Sequence, residues 1–352
     1  MNAVDIVVPC YNYGRFLRGC VETVLTQQGV DVRVLIIDDC SPDNTREIGE
    51  ALAAEDPRVT YRRHEVNQGF FKTIDEGVFG WASADYCLLL SADDALAPGA
   101  LARAVGLMEA NPNVGLTYGL GMLLEGEAEP HGAPEAGAYE ARVVPGARFL
   151  EFCAKNGNPV PTPCAVVRTR LQHELGGYLA ELPHTSDYEM WMRFAVRSDI
   201  GVIDAVQGYY RVHGAAMSAQ YHADRTRDLR ECMRAVATVV ANAGAPHTRG
   251  LVESSKRRCA EIVLHQAHRR FEIGDEAGAK ALVDFAKETD LPLFDSFKGL
   301  RLRAKLVVGF GVYGPVKAAV DVLRGKKPQQ ATSEPPAETH QEPPQILIGV
   351  WP

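Results

Sequence analysis

The fold class is decided by residues 33–43, RVLIIDDCSPD, where a short apolar run ends in two acids and a turn. The β-branched and aliphatic residues of the run are typical of a strand. The Ser41-Pro42-Asp43 turn supplies a helix start, and residues 44–55 have the apolar spacing of an amphipathic helix. A strand, a turn and a helix in this order predict one unit of an α/β sheet.

The same alternation of β-branched runs and helical patterns extends over the first 115 residues. We predict strands at residues 6–9, 33–38, 59–62 and 86–90, and helices at 15–27, 44–55, 72–81 and 101–109. Strands that alternate with helices form a parallel sheet covered by helices. This half is therefore predicted to be a nucleotide-binding α/β sheet.

The second half is predicted to continue the sheet and then to become helical. Residues 125–146 are turn-rich, which indicates an exposed loop or hairpin. Beyond them we predict a helix from residue 147, a Pro-rich turn at 159–163, a strand at 164–168 and helices at 170–175 and 187–197. Residues 224–290 are predicted to be about three helices, broken at 244–246 and near 274–275. The predicted parts are an α/β domain (1–223), a separate helical appendage (224–297), a basic amphipathic helical segment (298–327) and a disordered Pro-rich tail (328–352).

Composition and charge exclude several classes of protein. The 352 residues are 46% hydrophobic and 23% charged, as in a soluble globular chain, and the net charge of −8 argues against nucleic-acid binding. Residues 298–327 nevertheless carry eight bases and one acid, a net charge of +7, against −12 for residues 1–297. Neither a signal peptide nor an apolar window of 18 residues is found. With eight scattered cysteines and no CxxC pair, we expect reduced thiols and a cytoplasmic protein.

Two pairs of acids follow predicted strands. Asp38-Asp39 closes the second strand, and Asp93-Asp94 follows the run at 86–90. Because ligands of open α/β sheets bind at the carboxyl ends of strands, both pairs are expected to border one crevice. Hard cations such as Mg²⁺ and Mn²⁺ prefer oxygen ligands and share their shell with phosphates, so the pairs indicate a divalent cation. A solvated turn or a helix cap is the alternative for either pair alone.

Several separated motifs resemble those of glycosyltransferase family 2, which contains inverting enzymes of the GT-A fold. They are VVPCYN (7–12), IIDDCSPD (36–43), NQG (67–69), SADD (91–94), GGY (176–178), SDYEMWMR (186–193) and YRVH (210–213). The resemblance covers about residues 4–220 and is specific, because the order and spacing match as well. It implies that residues 1–223 form a GT-A catalytic domain.

The resemblance also implies roles for individual residues. The nucleotide-sugar would be bound by residues that line the crevice: Pro9, Tyr11, Asn12, Asp39, Asn67, Asp93 and Arg211. Of these, Pro9 and Tyr11 would line the base pocket, and Asp39 would accept a hydrogen bond from the base. Asp93 and Asp94 stand at the acidic motif that holds Mn²⁺ or Mg²⁺ against the diphosphate, with His213 as a further ligand. A histidine in a surface loop is the alternative for His213.

Asp187 matches the catalytic base of the family. A base at this position would take the proton from an acceptor hydroxyl as it attacks the anomeric carbon, which inverts the configuration. The alternative is a helix N-cap, since Thr185, Ser186 and Asp187 are all capping residues.

Three positions depart from the family pattern. Ser91 stands where many members have Asp at the start of the metal motif, and Ser186 stands where an acid often precedes the base. Asp75-Glu76-Gly77 stands where Asn-x-Gly is common. The residues of the nucleotide pocket, the acidic metal ligands Asp93 and Asp94, and the base Asp187 are all retained.

The sequence thus predicts a metal-dependent inverting glycosyltransferase that moves a sugar from a nucleotide-diphospho-sugar to a saccharide or lipid-linked glycan in cell-surface polysaccharide biosynthesis. A nucleotidyltransferase is one alternative, but it should carry a Gly-rich basic loop where Tyr11-Asn12-Tyr13-Gly14 stands. A non-catalytic scaffold is another, although it would not need both Asp94 and Asp187.

The basic segment 298–327 interleaves its bases with apolar residues, as in helices that lie in a lipid headgroup layer. We therefore expect peripheral contact with an anionic membrane, at the inner face of the cytoplasmic membrane. A solvated helix packed on the catalytic domain is the alternative.

The helices at 224–290 are a candidate homo-oligomer interface. For the apolar tip at 346–352, a partner-binding segment and a mobile tail are alternatives.

Overall fold

The structure is a computed structural model that describes residues 2–128, 130, 139–214, 225–323 and 347–348. Its strands are β1 (Ala3–Cys10), β2 (Asp31–Asp38), β3 (Val59–Arg63), β4 (Tyr86–Leu89), β5 (Ala95–Leu96), β6 (Val114–Glu125), β7 (Ala141–Val144), β8 (Val166–Arg168), β9 (Asp199–Val212) and β10 (Leu347–Ile348). They form one mixed sheet in the order β3-β2-β1-β4-β8-β6-β9-β5, with β7 on β9 and β10 on β6.

The helices of the α/β part are α1 (Gly14–Leu25), α2 (Thr45–Glu55), α3 (Phe70–Gly80), α4 (Ala100–Ala110), α5 (Gly146–Asn156), α6 (Thr169–Leu175) and α7 (Ser186–Arg197). The later helices are α8 (Arg225–Ala243), α9 (Leu251–Glu272), α10 (Glu276–Glu288), α11 (Phe297–Val308) and α12 (Phe310–Leu323). The 3-10 turns Thr162–Cys164 and Pro246–Thr248 complete the description. All eight elements predicted in the first 115 residues are confirmed.

Strand β2 explains why the decisive stretch is apolar. Leu35 and Ile37 point to one side of the sheet and pack in a cluster with α3, whereas Val34 and Ile36 belong to a cluster with α1 on the other side. All four side chains are fully buried. A parallel strand covered by helices on both faces needs apolar residues at every position, so alternation is lost.

The long strands β6 and β9 were not predicted from the sequence. They pair in parallel, with register shifts on both sides of Leu120. Both strands contain glycines, which are unfavourable in strands and hid the pattern. The close approach of the backbones requires them: a Cβ on Gly119 would lie 2.6 Å from the carbonyl oxygen of Ile203.

The segment 125–146, which was predicted to be a loop or hairpin, contains strand residues near both of its ends. β6 extends to Glu125, and β7 pairs antiparallel with β9. Residues 129 and 131–138 lie outside the described part of the chain. The prediction of an exposed loop is therefore wrong for residues 141–144, which belong to the sheet.

The helical appendage differs from the prediction of a separate unit. Its three helices and their breaks lie where predicted, but α8 and α9 pack on α5 and α7. Val236, Val239 and Leu251 belong to the same apolar cluster as Leu35 of β2. The core of the α/β part therefore continues into the appendage.

The described part of the basic segment, up to residue 323, is helical as predicted and consists of two helices. α11 and α12 are joined at Gly309, whose φ of +78° ends the first helix. Glu272 of α9 holds both by accepting hydrogen bonds from Lys305, Tyr313 and Lys317. Burial opposes ionisation of Glu272, but these hydrogen bonds lower its pKa to about 2.

The predicted tail falls largely outside the description. Residues 324–346 and 349–352 are not described, so disorder there stays a prediction. Leu347 and Ile348 differ from the predicted disorder, because they form a short strand that pairs antiparallel with Met122 and Gly121 of β6. No helix within the described ranges is both long and apolar enough to cross a bilayer.

Candidate active site

Three parallel strands end at the same edge of the sheet. Residues that were predicted to bind the nucleotide-sugar follow the ends of these strands. β1 pairs with β2 on one side and with β4 on the other. Tyr11 and Asn12 follow β1, Asp39 follows β2, and Asp93 follows β4. The chain runs from β1 to β2 and β3 in one direction and to β4 in the other, so the crevice for a ligand lies at this point. The fold brings these residues to the same crevice edge.

The turn after β1 is held by the turn after β2. Asn12 has a φ of +63°, and its backbone N–H donates to Oγ of Ser41 at 3.0 Å. Pro9 is buried, whereas Tyr11 is 50% exposed. The arrangement presents an aromatic ring on a fixed backbone, which is suited to stacking on a base.

Asp39 is a buried carboxylate with both oxygens held by the protein. Oδ1 accepts a hydrogen bond from the N–H of Gln68 at 2.7 Å and lies 2.7 Å from Nδ1 of His64. Oδ2 accepts from the N–H of Gly69 at 2.8 Å. Burial by itself raises the pKa of Asp39, but these hydrogen bonds outweigh it and lower the pKa below the ordinary value. The side chain is thus a fixed, ionised acceptor.

The NQG motif acts on Asp39 through its main chain. Gln68 and Gly69 supply the two N–H groups, and Gly69 has a φ of +88°, where a side chain would strain the backbone. The side chain of Asn67 is exposed at the same turn.

The second acid pair is joined to the end of β9. Oδ2 of Asp93 lies 3.1 Å from Nε2 of His213, and Oδ1 of Asp94 accepts the backbone N–H of Arg211 at 2.8 Å. The Arg211 guanidinium donates to the carbonyl of Asp93 and lies 4.4 Å from the ring centre of Phe16. Burial raises the pKa of both carboxyl groups, and the charge of Asp93 raises that of Asp94 further. Such a pair favours a cation beside it.

Of the three predicted metal ligands, Asp93, Asp94 and His213, the structure places side chains of two in direct contact. Among the residues that the structure describes, no group of three or more His, Cys, Asp or Glu side chains is arranged to hold a metal. Asp93 and His213 lie together, whereas one oxygen of Asp94 is directed to the main chain of Arg211. Nδ1 of His213 is buried without a hydrogen-bond partner in this part of the chain. Two protein ligands fit Mg²⁺ or Mn²⁺, which take their remaining ligands from water and phosphate.

Asp187 lies in the first turn of α7. Thr185 is the N-cap of this helix, so the alternative of Asp187 as the N-cap is wrong. Oδ2 of Asp187 accepts hydrogen bonds from Nδ2 of Asn158 at 3.2 Å and Oγ1 of Thr162 at 3.1 Å, and Oδ1 accepts the N–H of Tyr188 at 2.6 Å. Burial raises the pKa of Asp187 despite these hydrogen bonds. A carboxylate of raised pKa is a suitable proton acceptor.

The turn Thr162–Cys164 connects Asp187 with the second acid pair. A Cβ on Gly208 of β9 would lie 3.0 Å from the carbonyl oxygen of Ala95 and 3.3 Å from that of Pro163. Ala95 follows the acid pair in the sequence, and Pro163 follows the threonine that binds Asp187. Glycine at this position lets the three segments approach closely, and both sets of carboxylates lie beside them.

Arg193 fixes the loop that carries the GGY motif. Its guanidinium donates to the carbonyl of Leu175 at 2.6 Å, to that of Gly177 at 2.7 Å and to Oε2 of Glu189 at 2.9 Å. Glu189 is fully buried. The ion pair thus holds the loop after α6 against α7, next to Asp187.

Several residues of the site were not predicted from the sequence. His64 could have been found, because it directly follows β3 at the same edge of the sheet. Asn158 and Thr162 reach Asp187 from 29 and 25 residues away, which no local pattern reveals. The rings of Tyr13 and Phe16 lie 5.4 and 5.5 Å from that of His213.

A hollow of about 880 Å³ lies at the opposite edge of the sheet, where β4 begins and β8 ends. It is lined by Tyr86 and Arg168 among others, and none of the predicted site residues borders it. The carboxylates, the exposed Tyr11 and the strand ends instead favour the crevice described above.

Comparison with known sequences agrees with the motifs. Residues 5–139 match the model of the family described as glycosyl transferase family 2. An uncharacterized glycosyltransferase of Nostoc sp. is 29% identical over 120 residues, which cover 34% of this chain and 37% of that protein. Glycosyltransferase GlyG of Streptococcus pneumoniae is 33% identical over 91 residues, which cover 26% and 30%. The chain thus spans about a third of the length of these relatives.

Solved structures share the fold. TarS residues 1–349 of S. aureus, in complex with UDP-GlcNAc, has a TM-score of 0.61 at 17% identity, covering 94% of this chain and 93% of that chain. The mannosyltransferase PcManGT of Pyrobaculum calidifontis, in complex with GDP-Man and Mn²⁺, has a TM-score of 0.54 at 16% identity, covering 92% and 88%. The predicted fold, a GT-A mixed sheet flanked by helices with C-terminal helices, is confirmed.

Proposed function

We propose that this chain, whose residues 5–139 match glycosyl transferase family 2, transfers a sugar from a nucleotide-diphospho-sugar to an acceptor hydroxyl, with inversion at the anomeric carbon. The observation that carries the proposal is the half-buried Asp187, whose raised pKa and fixed orientation suit a general base. A single displacement needs one base of this kind, and the product is then inverted.

The donor would bind across the ends of β1, β2 and β4. Tyr11 offers its exposed ring to the base, Pro9 supports the turn beneath it, and Asp39 accepts a hydrogen bond from the base. Asn12 and Asn67, both exposed, border the same crevice. The nucleotide-sugar complexes of TarS and PcManGT support a donor of this class.

The diphosphate would lie at the second acid pair. Asp93 and His213 are the residues that would hold a divalent cation, and Asp94 and Arg211 hold the backbone around them. A bound Mn²⁺ or Mg²⁺ supplies charge neutralisation for the departing nucleoside diphosphate. Mn²⁺ in the PcManGT complex supports this choice.

The acceptor would approach from the Asp187 side. Asn158 and Thr162 orient its carboxylate, which takes the proton as the hydroxyl oxygen attacks the anomeric carbon. We propose a saccharide or lipid-linked glycan as the acceptor, in the synthesis of a cell-surface polysaccharide.

Donor hydrolysis tests these roles. We expect nucleoside diphosphate release from a panel of UDP- and GDP-sugars to fall at least about a hundredfold in Asp187→Asn, because the base is lost while the shape is kept. Asp93→Asn should lose activity at low Mn²⁺. Asp204→Asn, an exposed acid of β9, is the matched control and should keep full activity. Full activity in Asp187→Asn and Asp93→Asn would refute the assigned roles.

We also propose that α11 and α12 bring the enzyme to the inner face of an anionic membrane. Large apolar side chains project from both helices, with Phe297, Val307 and Leu323 each more than 80% exposed. Lys298 and Arg303 are exposed beside them. Apolar residues flanked by bases suit the headgroup layer. A homo-oligomer through α8–α10 stays a prediction.

A further inference from the structure

His64 is a buried histidine that bridges two carboxylates on different elements. It directly follows β3, and its Nδ1 lies 2.7 Å from Oδ1 of Asp39, which follows β2. Its Nε2 lies 2.9 Å from Oε2 of Glu76, which belongs to α3. A neutral imidazole has a single N–H, so both contacts are hydrogen bonds only when the ring is protonated. The geometry therefore selects the imidazolium.

The surrounding charges favour the same form. Burial by itself lowers the pKa of His64, but the hydrogen bonds and charges of Asp39 and Glu76 outweigh it and raise the pKa above the ordinary value of 6.5. Arg62 lies 3.3 Å from Glu76, and the imidazolium and Arg62 lower the pKa of that carboxyl. The remaining charged groups near the ring are Asp38, Arg46, Glu50, Arg63 and Glu65. All of these except Asp38 line a hollow of about 360 Å³ beside the ring.

We propose that His64 is a positioning residue that sets the affinity for the donor nucleotide by tying Asp39 to α3. The proposal rests on the proposed function, in which Asp39 receives the base. His64 supports Oδ1 of Asp39 from the protein side, next to the N–H of Gln68. Glu76 anchors the other side of the ring, so the acceptor for the base is fixed by three elements at once.

This arrangement makes nucleotide binding pH-dependent. His64 is protonated below its raised pKa, and both carboxylates are then satisfied. When the pH rises through that pKa, the ring loses one N–H, and one carboxylate faces a nitrogen lone pair. Asp39 is then held less firmly, so the nucleotide affinity is high at low pH and falls as the pH rises. The step breaks one N–H bond of the ring and transfers that proton to solvent, and no other covalent bond changes.

Calorimetric titration with UDP, GDP, ADP and CDP in the presence of Mn²⁺ tests the inference. For the nucleotide that binds, wild type should lose about tenfold in affinity between pH 6.5 and 8.5, the effect of one charge-assisted hydrogen bond. His64→Gln should bind about tenfold more weakly at pH 6.5, with little further loss at pH 8.5. Dividing the two curves removes the titration of the nucleotide itself.

Two variants separate positioning from general damage. Glu76→Gln removes one of the two charges that raise the pKa of His64, so the loss of affinity should begin at a lower pH. His265→Gln, an exposed histidine of α9, is the matched control and should follow wild type. In donor hydrolysis, His64→Gln should raise KM and leave kcat unchanged, because His64 contacts neither Asp93 nor Asp187.

The outcomes distinguish this inference from the proposed function. If a nucleotide binds wild type with the same pH dependence as His64→Gln, the role of His64 is wrong and the function stands. If no nucleoside diphosphate binds wild type at pH 6.5, the proposed function fails as well. Should His64→Gln not fold, the shift between wild type and Glu76→Gln decides, and an unshifted curve overturns the proposal.

Discussion

Asp187 owes its properties to a few neighbours. Burial raises its pKa, and the hydrogen bonds from Asn158, Thr162 and Tyr188 offset part of this effect. Since each donor stabilises the ionised form, the set of donors determines the pH at which the Asp187 carboxylate forms.

The pH profile of donor hydrolysis should therefore show the state of Asp187. In the proposed mechanism the carboxylate takes the proton, so the rate should fall as the pH decreases, with a midpoint above the ordinary value of 3.8. Thr162→Val removes one donor and should move this acidic limb to a higher pH. Thr60→Val, at an exposed position of β3, is the control. An acidic limb that did not move in Thr162→Val would contradict the assignment of Asp187.

At the scale of elements, the pairing of β6 with β9 depends on glycine. A Cβ on Gly119 would lie 2.6 Å from the carbonyl oxygen of Ile203 and 2.9 Å from that of Ala205, and neither backbone group can move without disturbing the sheet. We expect Gly119→Ala to lower the free energy of unfolding by about 2 kcal/mol or more, measured by urea denaturation.

Gly106 in α4 is the matched control for this substitution. A Cβ at that position would meet nothing within 4 Å, and alanine is favoured over glycine in a helix. Gly106→Ala should therefore raise the free energy of unfolding by about 0.5–1 kcal/mol. Equal effects of the two substitutions would show that the close approach of β6 and β9 is not what requires glycine.

The sequence predicted the elements whose pattern is local. β1 to β4 and α1 to α4 have β-branched runs and 3.6-residue spacing, and their order implies the crevice at Asp39 and Asp93. β6 and β9 were missed because glycine replaces the β-branched residues where their backbones meet. The contact between Asp187 and Thr162 joins residues far apart in the sequence, so only the fold reveals it.

At the scale of the whole molecule, charge is divided between the body and the last helices. Residues 1–297 carry −12, whereas residues 298–327 carry +7 and expose apolar side chains. An anionic surface would attract the helices and repel the body. The division therefore predicts one orientation on a membrane.

Vesicle flotation tests this orientation. The protein should float with vesicles that contain phosphatidylglycerol and not with pure phosphatidylcholine, because the attraction is electrostatic. The double variant Lys298→Glu/Arg303→Glu should lose most of the binding. Arg170→Glu, whose side chain is 92% exposed on the α/β part, is the control for charge alone. Flotation of the double variant at the wild-type level would refute the membrane proposal.

The central claim is that the crevice at the ends of β1, β2 and β4 binds a nucleoside diphosphate with a divalent cation, and a thermal-shift measurement tests it most directly. A ligand that binds only the folded protein raises its Tm, by about 5 °C at a hundred times the Kd. We predict such a shift with Mn²⁺ and at least one of UDP, GDP, ADP and CDP, and a smaller shift in EDTA or in Asp93→Asn. If none of the four raised the Tm of wild type in the presence of Mn²⁺, the claim would be contradicted.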